Sequence, residues 1–398
     1  MKVLLIAHAC HSRTEGQQRA QILGQLSDIE LMVVYPDRWY EYGKWRTIDK
    51  PENPSYKYRC EHVRWPWTGK CQWYLHHYPS LPEIMREFQP DIIDLWEEAW
   101  GLVSVQTCWL RNKLVPHAKI LSETEANINR THPIPFKWFR TYTLRNTDYA
   151  IARQTEGIDV LRAKGYSGAV DVVGNGVDVG IFRPLNREEC KASLGLSGFV
   201  AGYVGRLEES KGLMEILDAA YASRDVNFVF VGDGSLKQDL VSRIAELGLQ
   251  DRVKLLPPKD RQELPTVMNA IDTLLIPSRT TATWKEQFGR VIIEAHACGT
   301  PVIGSDSGAI PEIVGKAGII VPEGDARALA EAIKRLQAEP SVALRLGRIG
   351  RQQVQDHYEW QRIAERMRAI YLKMHNAPEY EKAAPSPVPS ELFGASKA

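Results

Sequence analysis

The strongest constraint on this chain is a rhythm. Short Val/Ile/Leu-rich runs, KVLLIA (2–7), LMVVY (31–35), DIIDLW (91–96), KILSE (119–123), YAIAR (149–153) and VDVV (170–173), alternate with amphipathic stretches near 16–26, 81–88, 100–114, 136–146 and 155–164. The second half repeats it with VAGYVG (200–205), NFVFVG (227–232), RVKLL (252–256), DTLLIP (272–277), PVIGS (301–305) and GIIVP (318–322). Amphipathic segments lie between these runs near 211–222, 235–247, 261–269 and 289–298. Apolar runs of this length without polar alternation are strands covered on both faces, and their alternation with helices predicts doubly wound parallel sheets.

A length of 398 residues suits two such domains. Asn-Gly and a proline interrupt the rhythm at NGVDVGIFRPLN (175–186), which sets an N-terminal domain at 1–174 and a second at 175–357. Residues 341–374 read as a long helical stretch, and the Pro-, Ala- and Ser-rich segment 376–398 as a disordered tail. Two α/β domains leave a cleft at the carboxyl ends of their strands, the default ligand site.

A net charge of +1 gives no reason to expect nucleic acid as a partner. The six cysteines form no CxxC pair, which favours a reducing, cytoplasmic setting over a disulfide framework. The opening MKVLLIAHAC is too short in its apolar part for a signal peptide, and no run is long enough to span a membrane.

Two stretches carry chemistry. GRLEESKG (205–212) follows the first strand of the second domain, so Arg206 sits at the strand's carboxyl end and Lys211 near the next helix start. Two cations beside a helix N-terminus suit a diphosphate, although two solvated loop charges would look the same. In EQFGRVIIE (286–294), Glu286 precedes a helix that Gly289 opens, and Glu294 lies inside it among apolar residues. Eight helical residues span roughly 12 Å, about the reach of a nucleotide sugar from sugar ring to ribose. The plain alternative, a cap and a face residue, leaves a carboxylate buried among apolar neighbours and in need of a partner.

NGVDVGIF (175–182), GRLEESKG, VGDG (231–234), EQFGRVIIEAHACGTPVIGSDSGAIPEIV (286–314) and GIIVPEGD (318–325) resemble, in order and spacing, the retaining glycosyltransferases of family 4. The likeness covers about 175–340; the first domain shares only the strand–helix rhythm. It implies a GT-B fold: two Rossmann-like domains, the second holding the donor, and a final helix, here 358–375, crossing back to the first. Carried onto matching positions, Arg206 and Lys211 neutralise the donor diphosphate, Glu286 holds the sugar hydroxyls and Glu294 the ribose. Gln287, Phe288 and Gly289 line the sugar and phosphate, and Gly205, Gly232, Asp233 and Gly234 form the loops beneath the donor.

The first domain departs from the family. In place of a Gly-Gly loop stands HACHSRTEGQQ, with only Gly16, and where the family carries a His this chain has SETEAN, so Glu123 or Glu125 is the expected substitute. His8, Cys10 and His11 lack a fourth ligand nearby, and no metal is expected. Nine of the eleven tryptophans lie in this domain; those at 39–46 and 64–78 suit an acceptor sugar or a membrane surface.

The resulting expectation is a metal-independent retaining enzyme that needs no cofactor. It moves a sugar from a UDP- or GDP-sugar to a saccharide or lipid-linked acceptor, as in polysaccharide or glycolipid biosynthesis, with peripheral membrane contact. A nucleotide-sugar epimerase, a sugar phosphorylase and a non-catalytic nucleotide-sugar-binding subunit are the alternatives.

Overall fold

The computed structural model describes residues 1–41, 44–65 and 72–376. Its contacts divide the chain into two units, one of Met1–Val173 with the residues from Ile363 on, the other of Gly174–Arg362. The expected tail lies outside the described residues from 377 on.

In the first unit, strands β1 (Lys2–Ile6), β2 (Glu30–Pro36), β5 (Lys57–Glu61), β6 (Ile92–Leu95), β7 (Lys119–Thr124), β8 (Tyr149–Ala152) and β9 (Ala169–Val172) form one sheet in the order β5-β2-β1-β6-β7-β8-β9. Every neighbouring pair is parallel. A small antiparallel ribbon, β3 (Trp39–Glu41) with β4 (Lys44–Arg46), stands apart.

The second unit has β10 (Val200–Val204), β11 (Asn227–Val231), β12 (Val253–Leu256), β13 (Thr273–Ile276), β14 (Val302–Ser305) and β15 (Gly318–Val321), ordered β12-β11-β10-β13-β14-β15 and again all parallel. Alternate residues of each strand enter different cores. Ala201, Tyr203, Phe228, Phe230 and Leu275 pack on one face, and Val200, Val204, Val229, Val231 and Leu274 on the other. Continuous apolar runs are what such two-sided burial demands.

The stretch 341–374 is not one helix. A helix at Pro340–Gln353 passes into a π-turn at Val354–Tyr358, the chain extends at Glu359, and a new helix runs over Trp360–Asn376. The break is fixed by Val177, whose amide donates to the Tyr358 carbonyl at 2.8 Å. The last helix buries Ile363, Ala364, Met367, Ile370, Tyr371 and Met374, a helical stripe that continues the core of the first unit. Arg368 holds Asp28 through Nε and Nη2, and Lys119 donates to the Met374 carbonyl at 2.8 Å.

Candidate nucleotide-sugar site

Open parallel sheets place ligands where the strand order reverses, and in the second unit that point lies between β10 and β13. The chain leaving β10 carries Gly205, Arg206 and Lys211; the chain leaving β13 carries Ser278 and, farther on, Glu286. Lys211 Nζ donates to Glu286 Oε2 at 2.9 Å, both side chains being 14% exposed. Ser278 Oγ lies 3.4 Å from the same oxygen, and the ammonium rests 4.1 Å from the Trp284 ring centroid. Arg206 is about half exposed and pairs with Glu208 at 2.9 Å.

Gly212, directly after Lys211, has φ 68, and a Cβ there would come within 1.9 Å of the Pro277 carbonyl oxygen. Only glycine lets the two loops meet so closely. The loops after β10 and β11 touch in the same way: a Cβ on Gly232 would lie 1.9 Å from the Gly205 carbonyl oxygen. Asp233 is exposed, with its carbonyl accepting from the Leu207 amide at 2.9 Å, and Gly234 lies against the Leu207 backbone.

Gly289, with φ 75, caps the helix Arg290–Ala297, so Glu286 precedes this helix and Glu294 lies one turn inside it. The Phe288 ring is buried edge-on against Tyr358 at 5.8 Å, which leaves its backbone as the part that can face a ligand; Gln287 is exposed. The Glu286 carbonyl accepts from the Ala309 amide at 3.0 Å and anchors this loop independently of the carboxylate.

Glu294 has the partner its burial requires. Arg261, from the loop after β12, donates through Nη1 to Glu294 Oε1 at 3.1 Å, while its Nε and Nη2 are buried without a protein acceptor. Burial raises the Glu294 carboxyl above its ordinary range against the pull of Arg261 and Arg290, and burial lowers the Arg261 guanidinium. Spacing did not reveal Arg261 or Trp284. The one available signal for Trp284 was its position outside the tryptophan-rich first domain.

The first-unit candidates occupy different surroundings. The Glu123 carboxylate is buried: Oε2 accepts from Arg19 Nη1 at 2.9 Å and from Arg153, and Oε1 accepts from Arg19 Nη2. Burial would raise this carboxyl, yet Arg153 and Arg19 hold it at about 2. Its oxygens are engaged inside the protein, unlike those of an acceptor-binding residue. The Glu125 side chain is 46% exposed, 3.7 Å from Arg153 Nε. Gly16 is set by packing, since a Cβ there would lie 2.6 Å from the Cys10 amide nitrogen. His8 and His11 have other partners, Glu97 and the His8 carbonyl, and among the described residues no three His, Cys, Asp or Glu side chains gather as metal ligands.

Residues 186–353 match the family described as glycosyl transferases group 1. A D-inositol 3-phosphate glycosyltransferase from Saccharomonospora viridis is 34% identical over 220 residues, covering 51% of this chain and 50% of that protein. The chain thus spans about half the length of this curated relative. Among solved structures, sucrose-phosphate synthase from Thermosynechococcus elongatus has a TM-score of 0.73 at 21% identity, over 94% of this chain and 99% of that one. Anabaena HepE in complex with UDP has a TM-score of 0.73 at 19% identity, covering 94% of this chain and 100% of its own. Part of the chain's second unit is thus similar to the glycosyl transferases group 1 family, and the chain's fold is GT-B.

Proposed function

We propose that the protein transfers a sugar from a nucleoside-diphosphate sugar to an acceptor hydroxyl with retention of anomeric configuration. The observation that carries this reading is the convergence of Lys211, Glu286 and Ser278 at the strand-order reversal of the second sheet, beside the Gly289-led helix. As the bond from the anomeric carbon to the diphosphate breaks, its electron pair passes to the phosphate oxygen. Lys211, Arg206 and the first amides of the helix Arg290–Ala297 stabilise that charge. Cationic side chains thereby take the place a metal ion holds in DxD-type sites, and activity is expected to survive chelators.

Glu286 orients the sugar hydroxyls, and Glu294 with the two open donors of Arg261 takes the nucleoside end. The acceptor is a saccharide or a lipid-linked saccharide. Peripheral membrane contact is supported by residues 126–147, which contain Arg130, Lys137, Arg140 and Arg145 but no acid, next to an Ile134 that is 85% exposed. Among the described residues no helix is long and apolar enough to cross a membrane.

A thermal-shift screen over UDP-, GDP-, ADP- and TDP-sugars tests the donor half, since a ligand bound to the folded state raises Tm by mass action. The donor found is then incubated with saccharide acceptors. Stabilisation by no nucleotide sugar refutes the reading, and binding without transfer points to a regulatory subunit.

A further inference from the structure

The loop that leaves β13 is pinned twice before it reaches Glu286. The Arg279 amide donates to the Ser210 carbonyl at 2.8 Å, beside Lys211, and the Thr280 amide and hydroxyl donate to Glu323 Oε2 and Oε1 at 2.6 Å each. Between these anchors and Glu286 the chain turns back on itself. The Thr281 amide donates to the Trp284 carbonyl at 2.7 Å, and Thr281 Oγ1 accepts from the Trp284 amide at 2.9 Å and the Thr283 amide at 3.3 Å. Thr281, Ala282 and Thr283 are exposed, yet the half-buried Trp284 lays its ring under the Lys211 ammonium, the centroid 4.1 Å from Nζ. That ammonium therefore has two partners. Glu286 Oε2 accepts one N–H at 2.9 Å and the Trp284 face attracts the charge through its π electrons, and among the described residues no other group bonds Nζ. All of these residues belong to the second unit, so the arrangement needs nothing from the first.

The two partners fare differently when a donor arrives. On the transfer reading above, on which this inference rests, Glu286 turns to the sugar hydroxyls while a phosphate oxygen approaches Nζ. A lysine released from a lone carboxylate has a flexible four-carbon stem that swings into water, and its rotamer freedom opposes the new bond. A ring face restrains the ammonium without using its remaining N–H donors, and without a negative charge that repels the diphosphate. It also keeps water from one side of the cation, which strengthens the attraction to an incoming anion. A tryptophan that served packing alone would point into a core; this one is set on an exposed, self-bonded turn against a cation of the site. We propose that Trp284 is a positioning residue for the donor diphosphate: its ring keeps the Lys211 ammonium in place while Glu286 changes partners from the lysine to the sugar.

The test uses the full chain, with whichever of UDP, GDP, ADP and TDP stabilises the wild type as the calorimetric probe. Trp284→Leu keeps an apolar side chain without a π face, and Trp284→Phe keeps a weaker face. The diphosphate Kd is expected to rise roughly 2- to 30-fold in Trp284→Leu and by less in Trp284→Phe, with kcat falling in the same order. In a Lys211→Met background, where binding is already weaker, Trp284→Leu is expected to change Kd by less than about twofold, because the ring then has no cation to restrain. A loss of the same size with and without Lys211 marks a packing role for the loop and overturns the proposal. Wild-type affinity in Trp284→Leu, or equal losses in the Phe and Leu variants, overturns it as well. Trp284→Phe combined with Lys211→Met closes the same cycle where Trp284→Leu fails to fold. A wild type that binds none of the four diphosphates overturns the donor reading and the proposal with it.

Discussion

Under the proposed transfer, Glu286→Gln separates two roles of one carboxylate. Gln keeps the shape and can still accept from Lys211, and the Glu286 carbonyl bond to the Ala309 amide at 3.0 Å holds the loop. Only the charge is lost. At 2.9 Å, the gross attraction between two unit charges is roughly 6 kcal/mol at an effective dielectric of 20. Desolvation and side-chain ordering cancel most of it, and a hydrogen bond to a charged group leaves about 1.5–3 kcal/mol net. A diphosphate arriving at Lys211 must share the ammonium with this carboxylate and suffers its repulsion. Removing the charge therefore favours free nucleoside diphosphate by about 1–2 kcal/mol, or roughly 5- to 30-fold in Kd. Transfer moves in the opposite direction. The sugar hydroxyls lose a charged acceptor whose hold matters most in the transition state, and kcat falls by on the order of 10²-fold. Calorimetric titration with the diphosphate and steady-state kinetics read the two effects separately. Diphosphate affinity that is unchanged or weaker in Glu286→Gln would refute the competition argument.

Gly212→Ala places a methyl 1.9 Å from the Pro277 carbonyl oxygen in a backbone with φ 68, so the unfolding free energy from denaturant titration is expected to drop by at least about 2 kcal/mol and donor-induced stabilisation to fade as Lys211 moves. Buried His296 has its pKa pushed down by burial to about 3, so the stability it contributes is full above 6.5 and falls away as pH drops toward 3. Unfolding at pH 7 and pH 5 is therefore expected to show a loss of about 2 kcal/mol from this group, absent in His296→Leu. Tyr371→Phe removes the hydroxyl that donates to buried Asp94 at 2.5 Å, at a cost of about 1–3 kcal/mol in urea unfolding with donor affinity unchanged.

The fold was legible because two-sided burial writes itself into strand composition, and helices such as Leu81–Phe88 carry an uninterrupted apolar stripe. β5 was not legible. As an edge strand, KYRCE is half exposed and holds no apolar run. The ribbon β3–β4 was read only as a tryptophan-rich loop, since three-residue strands are too short to show a period. In the site, the cations after β10 and the carboxylates around the helix could be named because each follows a recognisable element. Their pairing could not, since Lys211 and Glu286 are 75 residues apart and Arg261 and Glu294 are 33 apart. The surroundings of Glu123 were also out of reach of spacing. It stands at a strand's carboxyl end, as a ligand residue would, but Arg19, 104 residues earlier, and Arg153, 30 residues later, enclose it.

The two units place charge near the carboxyl ends of interior strands under opposite energetic conditions. In the first, Arg19, Asp94, Glu123 and Arg153 are all at most 2% exposed in their side chains, the guanidiniums lie 4.6 and 4.8 Å from the Trp96 ring, and Tyr371 of the last helix closes on Asp94. Burial and the neighbouring Glu123 push Asp94 up while the two arginines hold Glu123 down. Removing one member of such a network strands a buried charge and costs about 3–5 kcal/mol. An incoming ligand does not meet that cost easily, so the network acts as scaffold and ties the last helix to the first sheet. Lys211 and Glu286 are the reverse case. With each side chain 14% exposed, water reaches both charges, and the net bond is small enough for a diphosphate to take the ammonium. The same residue types therefore hold the fold where they are sealed and are free to exchange partners where they are not.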